Sequence, residues 1–189
     1  MAQIQKNSIG AVGEHQTLSR LQLLGYQAAI TNLSVQNTES TDILCRDDKG
    51  RFAAIQVKTT LDNSFQTGIS HKVFFDEQGN FDLAKGRKSL EKKIVGPWVL
   101  VQVGGTQVCP TFNFFVLSRL QVIELIYSNE VWYLTRFNRK SPLKGNGPIC
   151  LYAAWLQGHG VPANANHQEW VNPFAQLSMA EAWHNLWID

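Results

Sequence analysis

The chain has 189 residues, 44% of them hydrophobic and 17% charged, and a formal net charge of +2. That length suits one domain with a sizeable core, while so small a net charge excludes a protein that holds a polyanion by bulk charge, so any such partner must be met by local patches. Three widely spaced cysteines, Cys45, Cys109 and Cys150, exclude a disulfide framework and a four-thiolate zinc site; with no apolar run of about eighteen residues and no apolar signal core at the start, a cytoplasmic location without a membrane span is expected.

The first predicted element is a helix from Ser8, which can cap it, to Gly25, which stops it, with Ala11, Leu18 and Leu21 recurring at helical spacing. Glu14 projects with that stripe, either as an edge carboxylate reaching solvent or as a member of a shared site; its neighbour His15 points elsewhere and is read as a surface residue. Tyr26 to Leu33 reads as the first strand, and the polar segment after it, with Glu39 and Ser40, as a solvated loop.

Thr41 to Thr60 reads as a β-hairpin. Its arms are Asp42 to Arg46 and Arg51 to Lys58, joined by Asp47-Asp48-Lys49-Gly50, with the glycine at positive φ. Alternation puts Gln56 and Lys58 on one face with Ala54, opposite Ala53, Ile55 and Val57. A three-residue loop, Asp48 to Gly50, sets Asp42 opposite Gln56, whereas a four-residue loop turns it to the other face. Thr59 and Thr60 end the strand with hydroxyls that either bind at the site or simply suit β structure.

Between residues 61 and 82 the pattern suggests a polar loop and then a small hairpin through His71-Lys72-Val73-Phe74-Phe75. Asp82 to Ile94 is a predicted helix carrying Lys85, Arg87, Lys88, Lys92 and Lys93, a run that serves either as a solvated face or as a phosphate contact. Pro97 ends it. Trp98 to Val103 is apolar enough for a strand buried on both faces, Phe112 to Leu117 is another strand, and Ser118 to Gln121 is a capping box opening a helix through Tyr127. These elements predict an α/β core of mixed strand pairing.

From residue 129 the chain becomes rich in tryptophan, glycine and proline, which divides it into a core over 1–128 and a C-terminal extension over 129–189 packed on that core as one domain. Here Val131 to Phe137 reads as a strand, Arg139, Lys140 and Lys144 lie in a loop that either grips a nucleic-acid backbone or is simply solvated, and Ser178 to Glu181 reads as the cap of a last helix with Trp183 and Trp187. The aromatic side chains are read as packing on the core or a second subunit, with base stacking as the alternative. Cys150, His159 and His167 lack zinc-ligand spacing, and no nucleophile elbow or phosphate-binding Gly-Lys-Ser/Thr loop is present.

A carboxylate, an amide and an ammonium on so apolar a hairpin need partners or a purpose, and a hard cation supplies both: Asp42 as an oxygen ligand, Gln56 through an oxygen, Lys58 beside the attacking water or the phosphate. An acid, about a dozen residues and then Gln-x-Lys at a strand end resembles the PD-(D/E)XK nuclease superfamily, which includes many restriction enzymes and Holliday-junction resolvases. The run Gly10-Ala11-Val12-Gly13-Glu14 adds to the likeness, because many members carry an acid on the first helix that joins the metal site.

The resemblance covers residues from about Asn7 to Thr60. It implies a restriction-endonuclease-like mixed β-sheet flanked by helices with the site at one sheet edge, here with an aromatic-rich C-terminal extension. It also implies a Mg²⁺- or Mn²⁺-dependent endonuclease acting on DNA, with Glu14, Asp42 and Gln56 as metal ligands and Lys58 completing the catalytic set; a homodimer is a candidate assembly. Thr41 stands where proline is common and Gln56 replaces the usual acid. The loss of that charge leaves open the other expectation, a nuclease-like fold without catalysis that serves as a nucleic-acid or protein interaction module.

Overall fold

A computed structural model describes residues 2–31, 41–136, 147–158 and 170–188 of the chain, with side chains from residue 8 onward. Its centre is a five-stranded mixed sheet in the order β1 (Gln27–Ile30), β2 (Ile43–Arg46), β3 (Phe52–Thr60), β5 (Trp98–Gly105), β6 (Pro110–Leu117). Neighbours pair antiparallel except β3 and β5, which run parallel in the register Gln56↔Trp98 and Lys58↔Leu100. A parallel pair needs a crossover. The chain between them supplies β4 (Ser64–Ser70), a 3₁₀ turn (His71–Phe74) and helix α2 (Leu83–Lys93). β4 pairs with β7 (Pro148–Tyr152) in a separate two-stranded sheet.

β5 is apolar throughout its first half because both of its faces are covered. Trp98 and Leu100 enter a cluster with Leu90 and Ile94 of the α2 segment, Val122 and Ile126 of α3 (Arg119–Arg136), and Phe65 and Leu151 of the small sheet. Val99 and Val101 enter a second cluster with Leu21 of α1 (Ala2–Leu23), Ile55 and Val57 of β3, and Trp183 and Leu186 of a C-terminal 3₁₀ turn (Trp183–Trp187). Helices therefore lie on both faces of the sheet, and α1 alone of the long helices lies on the second. Truncating Leu100, which is fully buried, would cost about 2–5 kcal/mol.

Local chemistry explains most of the boundaries. Gly25 adopts φ 85° after α1, where Leu24 and Tyr26 N–H donate to the carbonyls of Arg20 and Leu21. Asp82 caps α2 by accepting from Lys85 N–H at 2.9 Å, and Arg119 satisfies its last carbonyls, donating to Ile94 O at 2.7 Å and Glu91 O at 2.8 Å. Ser118 and Gln121 make the reciprocal capping box: Gln121 N–H donates to Ser118 Oγ, and Ser118 N–H donates to Gln121 Oε1.

Four predicted elements differ. Helix α1 begins six residues before Ser8, because the residues ahead of it include good helix formers such as Ala2 and Gln3. Val131 to Arg136 continue α3 instead of forming a strand, and α3 therefore runs through residue 128. Residues 64–70 form strand β4, and His71–Phe74 coil as a 3₁₀ turn, although Phe75 and Phe81 do bridge around a turn at Asp76 to Asn80. Ser178 to Glu181 do not cap an α-helix: Val116 N–H donates to Met179 O and Glu181 N–H to Phe114 O, so the segment runs beside β6 and only then coils. Residues 150–156 are the end of β7 followed by the short helix α4 (Ala153–Leu156). Trp155, Trp170 and Trp183 are buried in the core and offer no stacking surface. No helix among the described residues is long and apolar enough to cross a membrane.

Candidate active site

The hairpin of β2 and β3 closes through the three residues Asp48 to Gly50. Asp47 N–H donates to Arg51 O, the Asp47 carboxylate accepts from Lys49 and Arg51 N–H, and Gly50 takes φ 80°. The register that follows, Arg46↔Phe52 through Ile43↔Ile55, is the one that points Asp42 at Gln56. At its far end the ladder slips by one residue. Asp42 N–H donates to Ile55 O at 2.9 Å, so Asp42 lies just before β2 and not within it.

That slip fixes the carboxylate. Asp42 O accepts from Thr31 N–H on the β1 side, and Asp42 Oδ2 accepts from Val57 N–H at 2.7 Å on the β3 side, doing for β3 what a backbone carbonyl of β2 would otherwise do. The acid is thus held by both neighbouring strands within one residue of Gln56 and Lys58. Gln56 N–H donates to Pro97 O, and its side chain shares a face with Ala54 and Lys58.

Helix α1 brings the second acid. Its side against the sheet is Gly13, Thr17 and Leu21, all buried, with Glu14 half-buried at the margin. Gly13 has no substitute there, since a Cβ would collide with the Thr59 side chain of β3. This close approach places Glu14 where Asp42 and Lys58 both act on it: burial and then the Asp42 charge push its carboxyl up, and His15 and Lys58 oppose them. Lys58 is affected in the reverse sense. Burial pulls its ammonium down, while Asp42 and Glu14 hold it up, and its Nζ lies 5.7 Å from the centre of the Trp98 ring.

Side chains from α1, the slip before β2, and β3 therefore form one electrostatic group, two acids and one amine with Gln56 alongside. Its oxygen donors, two carboxylates and an amide, are of the type that Mg²⁺ accepts. Among the described residues no three His, Cys, Asp or Glu side chains are grouped so as to hold a metal ion.

No family model, curated protein or solved structure matches the chain. Whatever function the site has must be read from its own chemistry.

The predicted basic contacts divide. Lys85, Lys88, Lys92 and Lys93 are exposed on α2, as a solvated face or a phosphate contact requires. Arg87 is already engaged, donating to Glu91 at 3.0 Å and Glu124 at 2.6 Å with its guanidinium over Tyr127. Glu39, Ser40, Arg139, Lys140, Lys144, His159 and His167 lie outside the described residues. A second polar pair lies outside the predicted site residues: His71 Nδ1 is 2.6 Å from Glu130 Oε2, with Glu130 buried in α3. Nothing local signals a pair so far apart in the chain. Gly13 was visible, since a glycine inside a helix costs about 1 kcal/mol and asks for a packing reason.

Proposed function

We propose that the protein is a metal-dependent nuclease of the PD-(D/E)XK type, with the restriction-endonuclease-like fold, hydrolysing phosphodiester bonds in DNA. The observation that carries the reading is that Asp42, pinned by its bond from Val57 N–H, acts on both Glu14 and Lys58, so that side chains from α1, the residue before β2 and β3 share one place with no reason of stability to do so. A mixed sheet with helices on both faces and the acid-to-Gln-x-Lys order along the hairpin agree with it.

Glu14, Asp42 and an oxygen of Gln56 would hold Mg²⁺ or Mn²⁺, and the bound cation would supply charge stabilisation at the phosphate and a more acidic water. The protein's own part is positioning. The Val57 amide fixes the orientation of the Asp42 carboxylate. Burial favours the neutral amine of Lys58 more than bulk water does, so Nζ can accept a proton from the attacking water; when protonated it instead donates to the phosphate. Gln56 orients water or ligates, without the charge that an acid would add.

The test is incubation with plasmid and short branched DNA in Mg²⁺ or Mn²⁺ against chelator, for the wild type and Lys58→Ala. Metal-dependent cutting that disappears in the variant supports the enzyme; wild-type protein that never cuts under any of these conditions rejects it. A second reading, a nuclease-like fold acting only as a nucleic-acid or protein interaction module, draws on Gln56 and on the absence of a third acid or histidine in the group among the described residues. Binding to DNA with no cutting selects that reading.

A further inference from the structure

The first three strands carry two very different faces. One is closed by α1 and contains Ile43, Cys45, Ala53 and Ile55, all buried. The other is open. By alternation and register it presents two rows, Gln27–Arg46–Phe52 and Ala29–Leu44–Ala54, and then Gln56 and Lys58 on β3 itself. Phe52 is 73% exposed and Leu44 49%, and the Arg46 guanidinium lies 5.5 Å from the centre of the Phe52 ring.

An aromatic ring left in water beside an arginine, on a pleated surface of small residues, is a stacking platform with its own phosphate contact. We propose that this open half-sheet binds single-stranded DNA and leads it to Lys58. The inference rests on the nuclease reading for its destination and adds the substrate class. Phe52 and Lys58 are six positions apart along one strand face, roughly 20 Å at the usual rise per residue, a span of a few nucleotides.

Three features select a single strand. In a duplex each base already hides its flat faces against its neighbours, so an exposed ring gains a partner only from an unstacked base. A duplex is held mainly by many phosphate contacts, yet Arg46 is the only charged side chain in the two rows. A second copy of this chain would need a broad apolar face, whereas Ala29 and Ala54 offer little area and a charged guanidinium stands beside the ring.

The test is fluorescence anisotropy in chelator with a short labelled oligo(dT) and a duplex of equal length, using the full chain. The wild type should prefer the single strand. Phe52→Ala should weaken oligo(dT) binding about tenfold with little change for the duplex, Phe52→Trp should restore it, and Arg46→Ala should weaken it while making binding less salt-dependent. Since both side chains are exposed, melting curves should stay near wild type. Equal affinity of the wild type for the two nucleic acids, or no effect of Phe52→Ala, overturns the proposal; so does a wild-type dimer that Phe52→Ala converts to monomer in sedimentation, which makes the face a self-interface. Metal-dependent cutting with a neutral Phe52→Ala defeats this inference alone. Ring-dependent binding of oligo(dT) with no cutting defeats only the catalytic reading.

Discussion

Of the places among the described residues that draw charge into partly or fully buried surroundings, two do so in opposite ways. In the first, Glu130 of α3 meets His71 of the 3₁₀ turn at 2.6 Å, so an acid finds a base across the gap between two elements. In the second, the Asp42 charge adds to burial in raising Glu14, and the Lys58 amine that both acids hold up is itself pulled down by burial. The first arrangement lowers its own electrostatic cost and ties α3 to the crossover. The second raises its cost, a cost that the proposed cation site would account for.

Substitutions separate the two. The largest effect belongs to the second group: Lys58→Ala should lower the rate of metal-dependent DNA cutting by about 10²–10⁴-fold, the usual contribution of a positioned proton-transfer group, with the melting curve preserved. A cutting rate close to wild type would mean that the lysine only lines the strand end. In the first group Glu130→Ala should destabilise the fold by about 3 kcal/mol in urea titration, since it leaves His71 facing the gap and opens a space in α3. Its cutting rate, measured where the variant is still folded, should remain near wild type.

The helix that delivers Glu14 offers a narrower comparison between two glycines. Gly13→Ala drives a methyl group into Thr59 and should cost about 1–3 kcal/mol as α1 is pushed off β3, with loss of cutting in step. Gly10 meets nothing within 4 Å. Gly10→Ala should stabilise by about 0.5–1 kcal/mol through helix propensity alone. Equal responses at the two positions, read by urea titration, would remove the close approach as the reason for Gly13.

How much of this was legible in the sequence follows from how local each signal is. The hairpin was legible because its loop is written in four adjacent residues and its face in a period of two; the slip at Asp42 was not, because it depends on Asp42 N–H reaching Ile55 O and on the N–H groups of Thr31 and Val57 that donate to Asp42. The end of α3 was misread for a related reason. Glu130 occupies a position on the buried stripe between Ile126 and Leu134, so the apolar period seems to stop where an unseen histidine in fact completes it. The strand at residues 64–70 needs β7, far along the chain, to show what it is. Ser178 to Glu181 carries a good local cap, yet the free edge of β6 takes the segment first.

The smallest effect gives the sharpest contrast. Burial and Asp42 hold the folded-state pKa of Glu14 above its unfolded value, so the protonated carboxyl stabilises the fold below the unfolded pKa, and that stabilisation is lost as pH rises through the folded one. At neutral pH the ionised group therefore costs stability. Glu14→Gln should melt higher than wild type there, by up to about 1 kcal/mol given partial exposure, and the gap should close in acid. Saturating Mg²⁺ should reverse the order, raising the wild type by the linkage of binding to folding and leaving the variant nearly unmoved. Melting curves from about pH 4 to about pH 8, with and without Mg²⁺, check both signs. An acid whose removal destabilises at every pH, with Mg²⁺ making no difference, belongs with Glu130 as architecture, and the contrast between the two charged groups would be gone.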